Sequence, residues 1–418
     1  MSVEKDTARA RSPFKGMGIK LDTAIARGLN RITGAALAPY QSAIVRIGFS
    51  LTFALYLLRE WPHRLELYGT TSPWGFDLAH RLVASNHAFT VLLWSNDRLW
   101  FELVYHGTIV ACLLLLVGWH TRTMSLLFMV GVLSLLNRNV LLGDGGDTLI
   151  HLMASYLVLT RCGQVWSLDA RRRARAAMLG GDGSNAMSVT LWVVCGAGLA
   201  LAELTGFADI PLGWVLILWG LWLVQALWFW AVRSRFSEVR AVCDVVANLV
   251  HNSAMLVIAA QVCLLYATAG WYKIQGPRWQ DGTALHYPLH LDYFSPWVSL
   301  SQVLDSRSAM VTLITYGTVF AQVAFPFALL NRRVKNVLLA ILITEHATIA
   351  VICGLPFFSL AMVFADMVFM PTNALRWVGA KAAAGRDRVT RRGRRSNSPP
   401  EDGSAGPRVT TGTGSPHA

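Results

Sequence analysis

The chain has 418 residues, of which 54% are hydrophobic and 15% charged, against about 25% charged in a soluble domain. A deficit of that size excludes an ordinary water-soluble globule and makes lipid the solvent for most of the chain. The formal net charge of +13 is concentrated in short loops and at both ends, which is a topology signal and not a nucleic-acid footprint, so no nucleic-acid partner is expected.

Residues 1–38 read as a basic N-terminal segment, in which Phe14 to Leu37 mixes basic and apolar residues at helical spacing, as an interfacial helix does. No cleavable signal peptide is visible before the first apolar run. A membrane span needs about 20 mostly apolar residues. Windows of that kind fall at 40–58, 104–118, 123–141, 148–165, 189–206, 211–232, 245–270, 311–330, 336–354 and 356–372. They predict an all-α fold over residues 39–372, a polytopic membrane helical bundle with about ten transmembrane helices. Residues 373–418 read as a basic tail, disordered beyond about residue 379, where Arg, Gly, Ser, Thr and Pro dominate.

Charge sets the expected orientation. Lys5, Arg9, Arg11, Lys15, Lys20, Arg27 and Arg31 precede the first window, and alternate loops carry Arg122, Arg171 to Arg175, Arg233 to Arg240, and Arg332 to Lys335. The positive-inside bias then predicts a multi-pass protein of the inner (plasma) membrane with both termini cytoplasmic. Two long segments, about 59–103 and 271–310, fall outside and are rich in Trp, Tyr and His. The six cysteines include no CxxC pair, so neither a zinc site nor a disulfide framework is expected from them. Nucleotide-binding, HExxH and GxSxG motifs are absent.

Ionisable residues inside apolar windows are expensive and therefore functional candidates. They are Arg46, Asp147, His151, Glu203, His251, Lys273, Glu345, His346 and Asp366. Asp147 and His151 stand four apart and share a helix face, where a carboxylate can fix an imidazole tautomer or a structural pair can join two helices. Lys273 follows the apolar and aromatic run Leu264 to Tyr272. Burial there disfavours the ammonium and favours an amine that acts as base or nucleophile, whereas a snorkelling lysine reaches the headgroups instead.

The strings Tyr266-Ala267-Thr268-Ala269-Gly270-Trp271-Tyr272-Lys273-Ile274, Trp279-Gln280-Asp281-Gly282-Thr283-Ala284-Leu285 and Phe294-Ser295-Pro296 resemble the HTTM family, bacterial relatives of vitamin K-dependent gamma-carboxylase. Asn137-Arg138-Asn139, Gly145-Gly146-Asp147, Trp166-Ser167-Leu168-Asp169, and His346 followed by Gly354 to Ser359 fit the same order. The resemblance runs from about Tyr40 to Met370. It implies a reduced isoprenoid quinone of the vitamin K or menaquinol type as cofactor, with Lys273 as the base that deprotonates it on the extracytoplasmic face. It implies His346, Asp147 and His151 as catalytic partners, and Tyr266, Trp271, Trp279, Asp281 and His286 as cofactor-binding residues. The implied reaction couples quinol oxygenation to proton abstraction and carboxylation, or to another modification, of a secreted peptide or protein. The position of a family histidine falls near Gly146 and Asp147, counting back from Trp166, and the large lumenal part of the carboxylase has no counterpart here. Two other functions compete: a non-catalytic membrane partner in peptide maturation or immunity, and a transporter using Arg46, Glu203 and Asp366 as a charge relay.

Overall fold

The computed structural model describes residues 13–180 and 186–396. Lys5, Arg9 and Arg11, and the part of the basic tail beyond Ser396, lie outside the described residues. Among those residues the chain is all-helical, with no strand. The helices are α1 (Pro13–Gly34), α2 (Pro39–Glu60), α3 (Arg64–Leu67), α4 (Phe76–Asn86), α5 (Arg98–Val117) and α6 (Thr121–Arg138). Then come α7 (Gly145–Leu157), α8 (Leu168–Met178), α9 (Ala186–Leu204), α10 (Leu212–Arg233), α11 (Ser237–Gln275) and α12 (Pro277–Gln280). The last are α13 (His286–Leu289), α14 (Val298–Asp305), α15 (Ser308–Ala328), α16 (Arg332–Ile352), α17 (Pro356–Asp366) and α18 (Thr372–Ser396).

Local chemistry sets the boundaries. Pro39 occupies the first turn of α2, where a missing N–H costs nothing. α5 stops at Gly118, whose φ of 74° gives the left-handed turn, and its last carbonyls are closed by Gly118 N–H to Leu115 O and Trp119 N–H to Leu114 O. α7 opens with a capping box: Asp144 accepts from the N–H groups of Gly146 and Asp147, and Asp147 accepts from that of Asp144. Asn331 caps α16 through Arg333 N–H and Val334 N–H.

Among the described residues, seven helical stretches are long and apolar enough to cross a membrane: Pro39–Leu67, Arg98–Val117, Ala186–Leu204, Leu212–Arg233, Ser237–Gln275, Ser308–Ala328 and Arg332–Ile352. Helices also occupy the other three predicted windows, but α7 has 13 residues and α17 has 11, which at 1.5 Å per residue is about 20 Å or less against a hydrocarbon core of about 30 Å. α6 carries Arg122 and Arg138 near its two ends. The predicted interfacial segment forms α1. The basic tail departs from expectation: among the described residues α18 is helical to Ser396, past residue 379, and Ala380, Ala382, Ala383 and Ala384, the best helix formers, carry it through that point.

The core lies among α2, α5, α6, α7 and α17, filled by Phe49, Phe53, Leu57, Tyr105, Leu115, Phe128, Met153 and Met362. α9 and α10 are different: only Gly196 and Ala202 of α9, and Leu218 and Ala231 of α10, are buried. Leu204 is 87% exposed and Leu212 73%. Helices apolar all round yet so little covered by protein need lipid around them, so the chain is a helical membrane protein.

Hydrogen bonds outside the helices define the two ends of the bundle. At one, Arg46 donates to Leu115 O, Leu116 O and Trp166 O. There too, Asp169 accepts from His120 N–H and Thr121 N–H, and His251 bridges Arg161 N–H and Leu37 O. At the other, Asn137, Arg138 and Asn139 donate to Phe89 O, to Gly69 O and Trp74 O, and to Leu67 O respectively. The end that begins α2 is called the near end below.

Candidate functional site

Four helices build a polar cluster of two neighbouring hydrogen-bonded runs. Lys273, in the last turn of α11, donates from Nζ to Gln322 Oε1 on α15 at 2.9 Å. Gln322 Nε2 donates to Glu345 Oε1 on α16 at 2.9 Å. The next residue, His346, is fully buried and its Nε2 lies 3.1 Å from the Tyr266 hydroxyl of α11. That hydroxyl also meets both carboxylate oxygens of Asp366 on α17, each at 2.9 Å. Tyr266 and Asp366 are buried as well.

Glycine permits the approach that closes the network. A Cβ on Gly270, one turn before Lys273, would sit 2.6 Å from Val323 Cγ2, so α11 and α15 meet only because there is none. Beyond Lys273, Trp279 lies within the short α12, and its ring centroid is 5.1 Å from Nζ, in cation–π range. Two buried polar atoms beside the network have no hydrogen-bond partner among the described residues: His346 Nδ1 and Ser359 Oγ. The Phe358 ring packs on His346 at 5.6 Å, and Gly146 of α7 lies against the Phe358 backbone, where a Cβ would come to 2.7 Å.

Of the residues expected from sequence, Lys273, His346, Tyr266 and Trp279 come together. The others stand apart from them. Asp147 is committed to the α7 cap at 3.1 Å from Asp144 N. His151, half-buried one turn on, has no hydrogen bond to it. Trp271 is 61% exposed on the outside of α11. Asp281 accepts from Thr283 N–H at 3.0 Å and Thr283 Oγ1 at 2.5 Å, which holds its carboxyl below the usual range in an exposed turn. His286 pairs with Asp305 at 2.6 Å.

Glu345, Gln322 and Asp366 are the members of this cluster that were not among the expected site residues, Asp366 having been expected in a charge relay instead. Glu345 stood among the intramembrane ionisable residues, but the roughly 100° between it and His346 argued against a shared site. They join it through different neighbours. Gln322 carries no charge, so no ionisable-residue search finds it.

The expected charge relay is not formed. Arg46 spends its hydrogen bonds on backbone carbonyls, Glu203 accepts from Trp219 Nε1 at 3.1 Å, and Asp366 binds Tyr266.

No protein-family model, curated protein or solved structure matches the chain. Fold and site together define a class, a helical membrane protein whose interior holds two neighbouring hydrogen-bonded runs, Lys273–Gln322–Glu345 and His346–Tyr266–Asp366.

Proposed function

We propose that this chain is a membrane enzyme in which Lys273 acts as the base toward the hydroxyl of a reduced isoprenoid quinone. One observation carries the reading. Nζ of Lys273 is held by a neutral amide and not by a carboxylate among the described residues, although Glu345 stands one hydrogen bond beyond. A lysine kept for charge alone would pair with the acid. Gln322 instead orients the amine and leaves its proton balance to whatever it meets. Bound there, a reduced quinone would supply reducing equivalents and an acidic hydroxyl.

The residues present fit such a group in donor set and setting. Lys273 offers the nitrogen, and Trp279 an aromatic face at the membrane edge. Lys273 takes the hydroxyl proton at Nζ. Glu345, behind Gln322, compensates the charge that develops. His346, Tyr266 and Asp366 form a second hydrogen-bonded run with one open ring nitrogen, Nδ1, where a water or a substrate oxygen would be satisfied.

The resemblance to the HTTM family and vitamin K-dependent gamma-carboxylase points the same way, toward modification of a secreted peptide. The non-catalytic maturation partner is the second reading, favoured by Asp147: it lies where the family histidine is expected and is occupied as a helix cap.

The membrane reading extends to ten crossings, with the site on the extracytoplasmic side of an inner membrane and both ends of the chain cytoplasmic. Its support is the hydrogen bonding at the bundle ends. Residues 139–161 run from the end held by Arg138 to the end held by His251, so α7 and the turn after it connect opposite ends. α17 does likewise between Gly354, packed near Pro296, and Met370, whose carbonyl accepts from Gln41.

A photoreactive isoprenoid quinone analogue in nanodiscs tests the assignment. Cross-links on the peptide spanning Lys273 to Trp279, competed by unlabelled quinol, are expected. Uniform labelling of lipid-facing helices, without competition, would contradict it.

A further inference from the structure

The segment between α11 and α15 holds a second cluster, separate from the network. We infer that His286, His290 and Asp305 form a binding site for a divalent transition-metal ion of the zinc class. One ligand atom from each residue lies within 4.8 Å of the others. His286 Nδ1 stands 2.6 Å from Asp305 Oδ1, and His290 Nε2 stands 3.6 Å from Asp305 Oδ2. The two imidazole rings face each other with centroids 4.2 Å apart.

The tautomer of His290 is fixed by its own backbone environment. Its Nδ1 lies 2.9 Å from the His286 carbonyl oxygen. A carbonyl only accepts, so Nδ1 carries the hydrogen and Nε2 turns a lone pair toward Asp305. That is the arrangement in which metal-binding imidazoles are held, with the second nitrogen donating to a carbonyl. At His286, a metal ion takes the place of the proton shared with Asp305, and the ring keeps its hydrogen on the other nitrogen. Both histidines are about half-exposed, at 47% and 54% of the side chain, so that nitrogen finds water and the side chains are free to adjust.

Two imidazoles and one carboxylate select borderline ions such as Zn²⁺ and Co²⁺ over Ca²⁺ and Mg²⁺, which take oxygen ligands. Ligand bonds of about 2.0–2.1 Å in a tetrahedral site require donor atoms roughly 3.3 Å apart, so the His286–Asp305 pair opens and the His290–Asp305 pair closes, a rotamer-scale change. Three protein ligands leave the fourth position to water. The ion would join α13 to α14 and so order the segment that also carries Trp279.

The test uses the full-length protein, purified without a histidine tag, stripped of metal and placed in nanodiscs. Co²⁺ titration is expected to give one equivalent with the visible absorption of a tetrahedral nitrogen and oxygen site, bleached by Zn²⁺. His290→Gln and Asp305→Asn, both at accessible positions, are each expected to weaken Co²⁺ binding at least tenfold. His80→Gln, on α4, is expected to leave it unchanged. Absence of a stoichiometric Co²⁺ spectrum in the wild type would overturn the site. So would equal binding by the wild type and both ligand variants, which would reduce the cluster to hydrogen bonds between Asp305 and its histidines.

Discussion

Arg46 is fully buried, and what holds it is backbone: the carbonyls of Leu115 and Leu116 at the end of α5, and that of Trp166, whose φ is 51°. A helix C-terminus presents carbonyls without partners and a partial negative charge, so a guanidinium there satisfies both. Arg46→Leu should strand those acceptors and cost on the order of 3 kcal/mol, read as a lower midpoint of thermal unfolding in detergent with the α-helical spectrum retained below it. Asp144→Ala should cost about 1 kcal/mol through loss of the α7 cap, read the same way. Sequence reading found Arg46 by its cost in a membrane but looked for an acid, because carbonyl acceptors leave no mark in composition. Asp147 misled similarly: its spacing to His151 suggested chemistry, whereas its spacing to Asp144 makes a cap.

Among the elements, α11 and α15 decide the site. Their contact at Gly270 and Val323 sets the distance over which Lys273 reaches Gln322. Gly270→Val should push the helices apart, break that bond and cost about 1–3 kcal/mol by overpacking. Fluorine or nitrogen resonance of a labelled Lys273 environment would report the lost contact, and an unchanged signal would contradict the geometry. Apolar windows overlap the seven helical stretches that are long and apolar enough to cross a membrane among the described residues, because lipid demands long apolar runs. Helix lengths were less legible. α7 and α17 are short because they lie inside the bundle, where Met153, Leu157, Ala361 and Ala365 are buried by neighbouring helices, and protein cover relaxes the demand for a full apolar span. Motifs also divided by role once placed: Trp166 to Asp169 and Asn137 to Asn139 clamp the bundle ends, whereas Tyr266, Lys273 and His346 gather inside.

For the whole molecule, apolar exposure on α9 and α10 describes a protein surrounded by lipid. In a cysteine-free background, Arg235→Cys and Ser306→Cys should label from opposite faces of sealed vesicles; labelling from the same face would contradict the proposed crossings. The near end, with Arg122, Arg161 and Arg173, is the end expected to face the cytoplasm. Lys273, Trp279 and the cluster around Asp305 then share the opposite side, where a lipid-soluble cofactor and a secreted substrate would meet.

The most direct measurement is turnover of reduced isoprenoid quinones by the purified protein in nanodiscs, wild type beside Lys273→Met, with product analysis by mass spectrometry. Oxygen-dependent quinone epoxide is expected from the wild type, with a rate lower by about 100-fold or more in the variant, the scale of a lost general base. Folded wild-type protein that forms no epoxide from any of several quinols, or a variant that matches the wild type, would contradict the proposed function.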